Sequence, residues 1–184
     1  MNAGIIISRY AKAFLKYVQQ ADSGETAYAQ ACTLVRVMGK LPQMVQYITD
    51  ASDVTLERKI SLLSAAVGED VDPSIVRFLK MVSANRREEY FPRMLYSFIE
   101  QYRSENNIKV GAIVMASPIS GLGERLEQLF SEKTGAEVSL EERLDPDIMG
   151  GFIFELDGYR LDASVEGHLA RIRRRLVEKN NRIV

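Results

Sequence analysis

Apolar residues recur three and four positions apart through the first hundred residues, and at every second position after that. The first spacing builds amphipathic helices, the second strands. Stop and start signals divide the helical part. Ile5–Ala21 ends at Asp22-Ser23-Gly24, and Glu25–Met38 follows with Gly39 expected just past its end and Pro42 beyond. Pro42–Thr49 is short, and Leu56–Val67 lies between a candidate N-cap, Thr55, and a stop, Gly68. Asp72-Pro73 opens a fifth helix reaching about Asn85, and a sixth covers roughly Glu88–Arg103 with Pro92 near its first turn.

Polar Ser104-Glu105-Asn106-Asn107 marks the boundary. Beyond it Ile108, Val110, Ala112, Val114 and Ala116 alternate in a strand. Leu122, Leu126, Leu129 and Phe130 make one helix face, and Ala136, Val138 and Leu140 alternate in a half-exposed strand. In GGFIFELDGYRLDAS, Asp157-Gly158 predicts a two-residue hairpin turn. That turn fixes the register, with Leu156 facing Tyr159, Phe154 facing Leu161 and Phe152 facing Ala163 on one buried side, and Glu155 facing Arg160 on the other. Val165, Leu169, Ile172 and Leu176 then form the core stripe of a last helix. The expected fold class is α+β with two domains. Residues 1–105 form a six-helix antiparallel bundle, and residues 106–184 a small C-terminal α/β domain ordered strand-helix-strand-hairpin-helix.

Composition narrows the function. With 184 residues, 46% apolar and 27% charged, the chain is an ordinary globular protein. No run of about 18 uncharged apolar residues offers a transmembrane helix, and the isoleucine triplet before Arg9 is too short for a signal peptide. One cysteine, Cys32, fits a reducing compartment and a small core position. Residues 1–104 carry 13 basic and 11 acidic side chains and residues 105–184 carry 11 and 14, for a net charge of −1 overall. Neither part has the charge of a nucleic-acid binder.

Candidate chemistry is sparse. A catalytic triad would have to use the single histidine, His168, which falls on a helical surface pattern. Common zinc-ligand spacings and the phosphate-binding loop are absent. Gly121-Leu122-Gly123 lacks the third glycine of a dinucleotide fingerprint. Asp145, Asp147, Glu155, Asp157 and Asp162 crowd together in sequence, but turn chemistry and strand edges explain them. The chain therefore looks like a binding protein without an active site, cofactor or metal.

Four segments carry a resemblance: SRYAKAFLKYV, VRFLKMVSANRREEYFPRMLYSF, IKVGAIVMASPIS and DPDIMGGFIFELDGYRLDASVEGHLARIRRRL. Together they resemble the delta subunit family of F-type ATP synthase, the oligomycin-sensitivity-conferring protein family. Ile148, Gly150, Gly151, Asp162, Ser164 and Val165 match its C-terminal signature. The chain departs from the pattern at Asn85-Arg86-Arg87, where the family commonly has Gly-Arg, and at Ala163, where it often has glycine. The resemblance implies a non-catalytic stator subunit peripheral to the cytoplasmic face of the bacterial membrane. It implies an N-terminal bundle that binds N-terminal helices of alpha subunits and a C-terminal domain that holds the end of the b-subunit stalk. A β-α-β-β order with a basic last helix could also imitate a small RNA-binding module, though the aromatic RNA-stacking motif is absent.

Helix geometry suggests where an alpha-subunit helix would dock. At 100° per residue, Arg9, Lys12, Lys16, Gln19 and Gln20 fill a polar arc of about 100° on the first helix, and the apolar arc spans about 200°. A core centred on Ile7, Phe14 and Val18 leaves a second stripe of Ile6, Tyr10, Ala13 and Tyr17. The fifth helix has a similarly wide apolar arc of about 220°, running from Met81 through Phe78, Val82, Ile75 and Leu79 to Val76, with Met81 beside the polar side. Either neighbouring helices bury both arcs, or Ile6, Tyr10, Ala13, Tyr17, Phe78 and Met81 line a groove for a partner helix.

Overall fold

The computed structural model describes residues 3–50 and 54–180, the last six of these by backbone alone. The chain separates into two compact units, Met1–Asn106 and Asn107–Val184.

The first unit is helical. It contains α1 (Ala3–Gln20), α2 (Gly24–Lys40), α3 (Pro42–Thr49), α4 (Leu56–Val67), α5 (Pro73–Ala84), a single 3-10 turn (Glu88–Tyr90) and α6 (Phe91–Glu105). Its punctuation follows the local chemistry. The Thr55 hydroxyl accepts from the Arg58 amide at 3.5 Å, Asp72 accepts from the Ser74 amide at 2.7 Å with Pro73 beginning α5, and Gly68 ends α4 in the left-handed conformation. Gly39 does not end α2. The helix runs through it to Lys40, and Leu41 both ends α2 and precedes Pro42 of α3. Tertiary packing of the Leu34 and Met38 face outweighs the small propensity cost of one glycine. At Pro92 the chain enters α6 from the 3-10 turn, so the predicted sixth helix is two pieces.

One aromatic seam runs through this unit's core. Phe14 stacks on Phe78 at 4.4 Å and meets Phe98 at 4.6 Å, and Phe78 meets Phe91 at 5.9 Å. Buried Gln30 ties α2 to the segment before α5. It donates to Glu69 and to the Asp70 carbonyl, and its own carbonyl accepts from the Asp72 amide at 2.7 Å. Lys59 and Glu88, both buried, pair at 3.7 Å between α4 and the 3-10 turn.

The second unit is a four-stranded mixed sheet with two helices: β1 (Ile108–Met115), α7 (Leu122–Thr134), β2 (Glu137–Leu144), β3 (Phe152–Leu156), β4 (Tyr159–Asp162) and α8 (Val165–Asn180). The strand order is β2-β1-β3-β4, with β1 parallel to β2 and antiparallel to β3. The hairpin register is the expected one: Leu156 pairs with Tyr159, Phe154 with Leu161 and Glu155 with Arg160. Asp157 and Gly158 both have positive φ, 51° and 81°, as a type I′ turn requires.

Burial of that hairpin departs from expectation. Phe154 and Leu156 are buried and Phe152 is half-buried, but Tyr159 is 81% exposed and Leu161 49%. The cause is the placement of α7. Phe130 stacks on Phe154 at 4.4 Å, while Ser131 and Glu127 accept the outward amides of Val138 and Leu140 on the β2 edge. A single helix about 10 Å wide held at that edge does not reach the fourth strand, some 15 Å away. In β1 the sheet's core face is carried by Ile113 and Met115, so Val110, Ala112 and Val114 point to the other side. Leu129 of α7 is exposed as well. The expected core stripe of α8 is also open: Val165, Leu169 and Ile172 are 44%, 58% and 53% exposed. Leu176 lies outside the described side chains.

Candidate functional site: a groove on the helical unit and an uncovered face on the sheet unit

The apolar excess on α1 divides as geometry requires. Ile7, Phe14 and Val18 are buried, whereas Ile6, Tyr10 and Tyr17 are half-buried and Ala13 is exposed. Opposite them, Phe78 of α5 is buried and Met81 is 39% exposed. Ala13, Tyr17, Phe78 and Met81 come together around one cavity of about 360 Å³, which Phe14 and Arg77 complete. Tyr10 and Ile6 continue the α1 stripe about one and two turns earlier, in that order, but do not line that cavity.

Two arginines that the hydrophobic pattern did not single out hold the tyrosines. The Arg77 guanidinium lies 5.0 Å from the centre of the Tyr17 ring and donates to its hydroxyl at 3.4 Å. Arg87 does the same at Tyr10, 5.3 Å from the ring centre and 3.0 Å from the hydroxyl. Cation–π stacking with a hydrogen bond restricts both rings before any partner arrives. The signal lay in Arg77, four residues before Met81 on a helix without acidic residues.

In the second unit the signature residues form a joint. The Asp162 carboxylate accepts from the Ser164 amide at 2.9 Å and the Ser164 hydroxyl at 2.6 Å. That hydroxyl in turn accepts from the Gly167 amide at 3.0 Å, capping α8. These bonds, the Ser164 hydroxyl's first, hold the Asp162 carboxyl below the usual carboxylate range. Gly150 accepts from the Val165 amide at 3.0 Å, and Gly151, at φ +80°, lies so close to the Ala163 carbonyl that no Cβ fits. Ile148 is half-buried in the preceding turn. Ala163 does not have positive φ, so the backbone makes no demand for glycine at this position.

The clustered carboxylates have separate local partners. Asp145 accepts the Asp147 amide, Glu155 pairs with Arg160 at 3.4 Å and Asp157 with Lys109 at 2.9 Å. His168 is exposed, and Cys32 is half-buried with its sulfur 4.0 Å from Arg103. Among the described residues no three His, Cys, Asp or Glu side chains gather as metal ligands, and no helix is long and apolar enough to cross a membrane.

The family profile described as ATP synthase delta (OSCP) subunit matches residues 6–176. The chain belongs to this family. It is 37% identical to ATP synthase subunit delta of Phocaeicola vulgatus and 33% identical to that of Bacteroides fragilis, with all of each chain covered in both cases. A chain of the Toxoplasma gondii mitochondrial ATP synthase hexamer shares the fold, with a TM-score of 0.61 at 19% identity over 93% of this chain and 97% of that one. None of these findings supports the RNA-binding alternative.

Proposed function

We infer that the protein is a non-catalytic peripheral-stalk subunit of ATP synthase, linking the catalytic head to the stalk and resisting rotor torque. Family membership over nearly the full length supports this role. The finer reading assigns a task to each part of the chain. Residues 1–105, as an antiparallel six-helix bundle, take N-terminal helices of alpha subunits. Residues 106–184 take the C-terminal end of the b subunit. Through these partners the protein sits peripherally at the cytoplasmic face of the membrane.

The observation that carries the alpha-subunit site is the cavity between α1 and α5. Its floor is apolar, its one tyrosine, Tyr17, is held in place by Arg77, and a helix side chain of leucine or phenylalanine size fits about 360 Å³. For the b subunit, support comes from the uncovered apolar side chains of α8 and β4, which a monomer of this kind would otherwise leave in water.

Ala13→Asp tests the groove. The carboxylate enters the cavity rim from an exposed position, so the melting temperature of the free protein should barely move. Affinity for an alpha-subunit N-terminal peptide should fall at least about tenfold, or 1.4 kcal/mol. Unchanged affinity shows that the groove is not the site. For the other part, deleting residues 106–184 should abolish b-subunit capture and leave alpha-peptide binding intact.

A further inference from the structure

The groove is bordered by charge of one sign. Neither α1 nor α5 contains an aspartate or glutamate. Around α1, Arg9 and Lys16 project roughly 70–90° to the outer side of the Ile6–Tyr10–Ala13–Tyr17 stripe, away from the core side occupied by Ile7, Phe14 and Val18. Around α5, the sequence from the core outward is Phe78, Met81, Arg77 and then Lys80. The apolar floor thus lies between two cationic walls. Arg9, Lys16 and Lys80 are exposed, and among the described residues none of them has a carboxylate within 4.0 Å. This contrasts with the chain as a whole, whose net charge is −1.

Arg77 sharpens the point. It lines the cavity itself, yet its hydrogen-bond partner is a phenol rather than a carboxylate. A guanidinium has five N–H donors in a fixed fork, and the Tyr17 hydroxyl uses one. Stacking on the ring fixes the plane of the fork and leaves its remaining donors for a second ligand. A carboxylate is the ligand that such a fork binds best, two bonds at once.

We propose that the α1–α5 groove selects an amphipathic helix whose apolar stripe is flanked by carboxylates, one of them pairing with Arg77. The proposal rests on the reading of this groove as the alpha-subunit site and adds the chemistry by which the partner is chosen. Apolar contact supplies the seat, and the two cationic walls supply orientation and discrimination against basic or neutral helices.

Three synthetic helical peptides with one common leucine stripe separate the possibilities, their flanks carrying glutamate, glutamine or lysine. Binding to the full chain is read by fluorescence anisotropy. The glutamate peptide should bind at least about tenfold tighter than the glutamine peptide, and the lysine peptide weakest. Raising salt from about 0.1 M to 1 M, where the screening length drops from about 10 Å to 3 Å, should erase most of the preference. In an R9Q/K16Q/K80Q variant, changed only at exposed side chains, the glutamate-to-glutamine ratio should fall several-fold, to the part that Arg77 alone supplies; an unchanged ratio overturns the role of the cationic walls. Equal affinity of the glutamate and glutamine peptides, both weakened by Ala13→Asp, overturns the charge selection and leaves the groove reading standing. No binding by any peptide overturns both. Binding of phosphatidylglycerol vesicles that competes with the glutamate peptide and is lost in the triple variant would assign the cationic walls to a membrane surface instead, and overturns the proposal.

Discussion

At the scale of single residues, backbone conformation and capping decide more than residue type suggests. Arg86 sits at φ +54°, closing α5 in the left-handed conformation that glycine adopts most readily. Arg86→Gly should therefore stabilise the protein by about 0.5–1 kcal/mol in a urea melt. Gly151 is the reverse case. Gly151→Ala combines positive φ with a clash against the Ala163 carbonyl, and should lower the melting temperature of the sheet unit measurably. Ser164→Ala removes the α8 cap and should cost about 0.5–2 kcal/mol. Asp162 adds a pH signature. Its carboxyl titrates below the ordinary carboxylate range in the folded state. Its contribution to stability is thus complete above the unfolded pKa and is lost as pH falls through the folded one. Asp162→Asn should be less stable than wild type at neutral pH, and that difference should shrink in acid denaturation series run toward pH 2–3.

At the scale of elements, the hairpin separates register from burial. Sequence pairing placed Leu156 opposite Tyr159, Phe154 opposite Leu161 and Glu155 opposite Arg160, because a two-residue turn leaves no slack and a one-residue slip would reverse both faces. It could not say which end of the hairpin α7 covers. The consequence is graded mutational cost along one face. Phe154→Ala should cost about 3–5 kcal/mol, since the ring is 2% exposed and stacked on Phe130. Glu155→Ala should cost a few tenths to about 1 kcal/mol, because its pair with Arg160 is solvated. Tyr159→Ser, on the same face as Phe154 but uncovered, should cost less than about 0.5 kcal/mol. Similar losses at Phe154 and Tyr159 would mean that the outer strand is covered after all. The uncovered residues of β4 and α8 gain a purpose only once a partner is considered.

At the scale of the whole molecule, the chain divides into Met1–Asn106 and Asn107–Val184, each with a core of its own. The helical unit owns the long aromatic seam and the buried Gln30 network, both closed within it. A fragment of residues 1–106 is expected to fold alone, with strong helical circular dichroism and cooperative melting. A non-cooperative melt would show that its core needs the rest of the chain. The sheet unit has a smaller buried cluster around Val138, Phe154 and Leu156, and should be the less stable of the two in isolation.

Local chemistry, written in the chain itself, determined the element order, most element ends, the hairpin register and the second apolar stripe on α1. These follow from periodicity, caps and turns, which act over a few residues. The family signature was legible for the same reason, since Gly151, Asp162 and Ser164 meet conformational demands of one joint. Other features depend on which distant segment arrives. Ile113 and Met115, rather than Val110 and Val114, face the sheet's core because both faces of β1 are apolar and only α7 breaks the tie. Tyr159, Leu161, Val165, Leu169 and Ile172 read as core by period, yet no described element covers them. The tyrosine-bound Arg77 and Arg87 and the buried Lys59–Glu88 pair are likewise products of tertiary proximity, because a charge's partner is set by the fold and not by its neighbours in sequence.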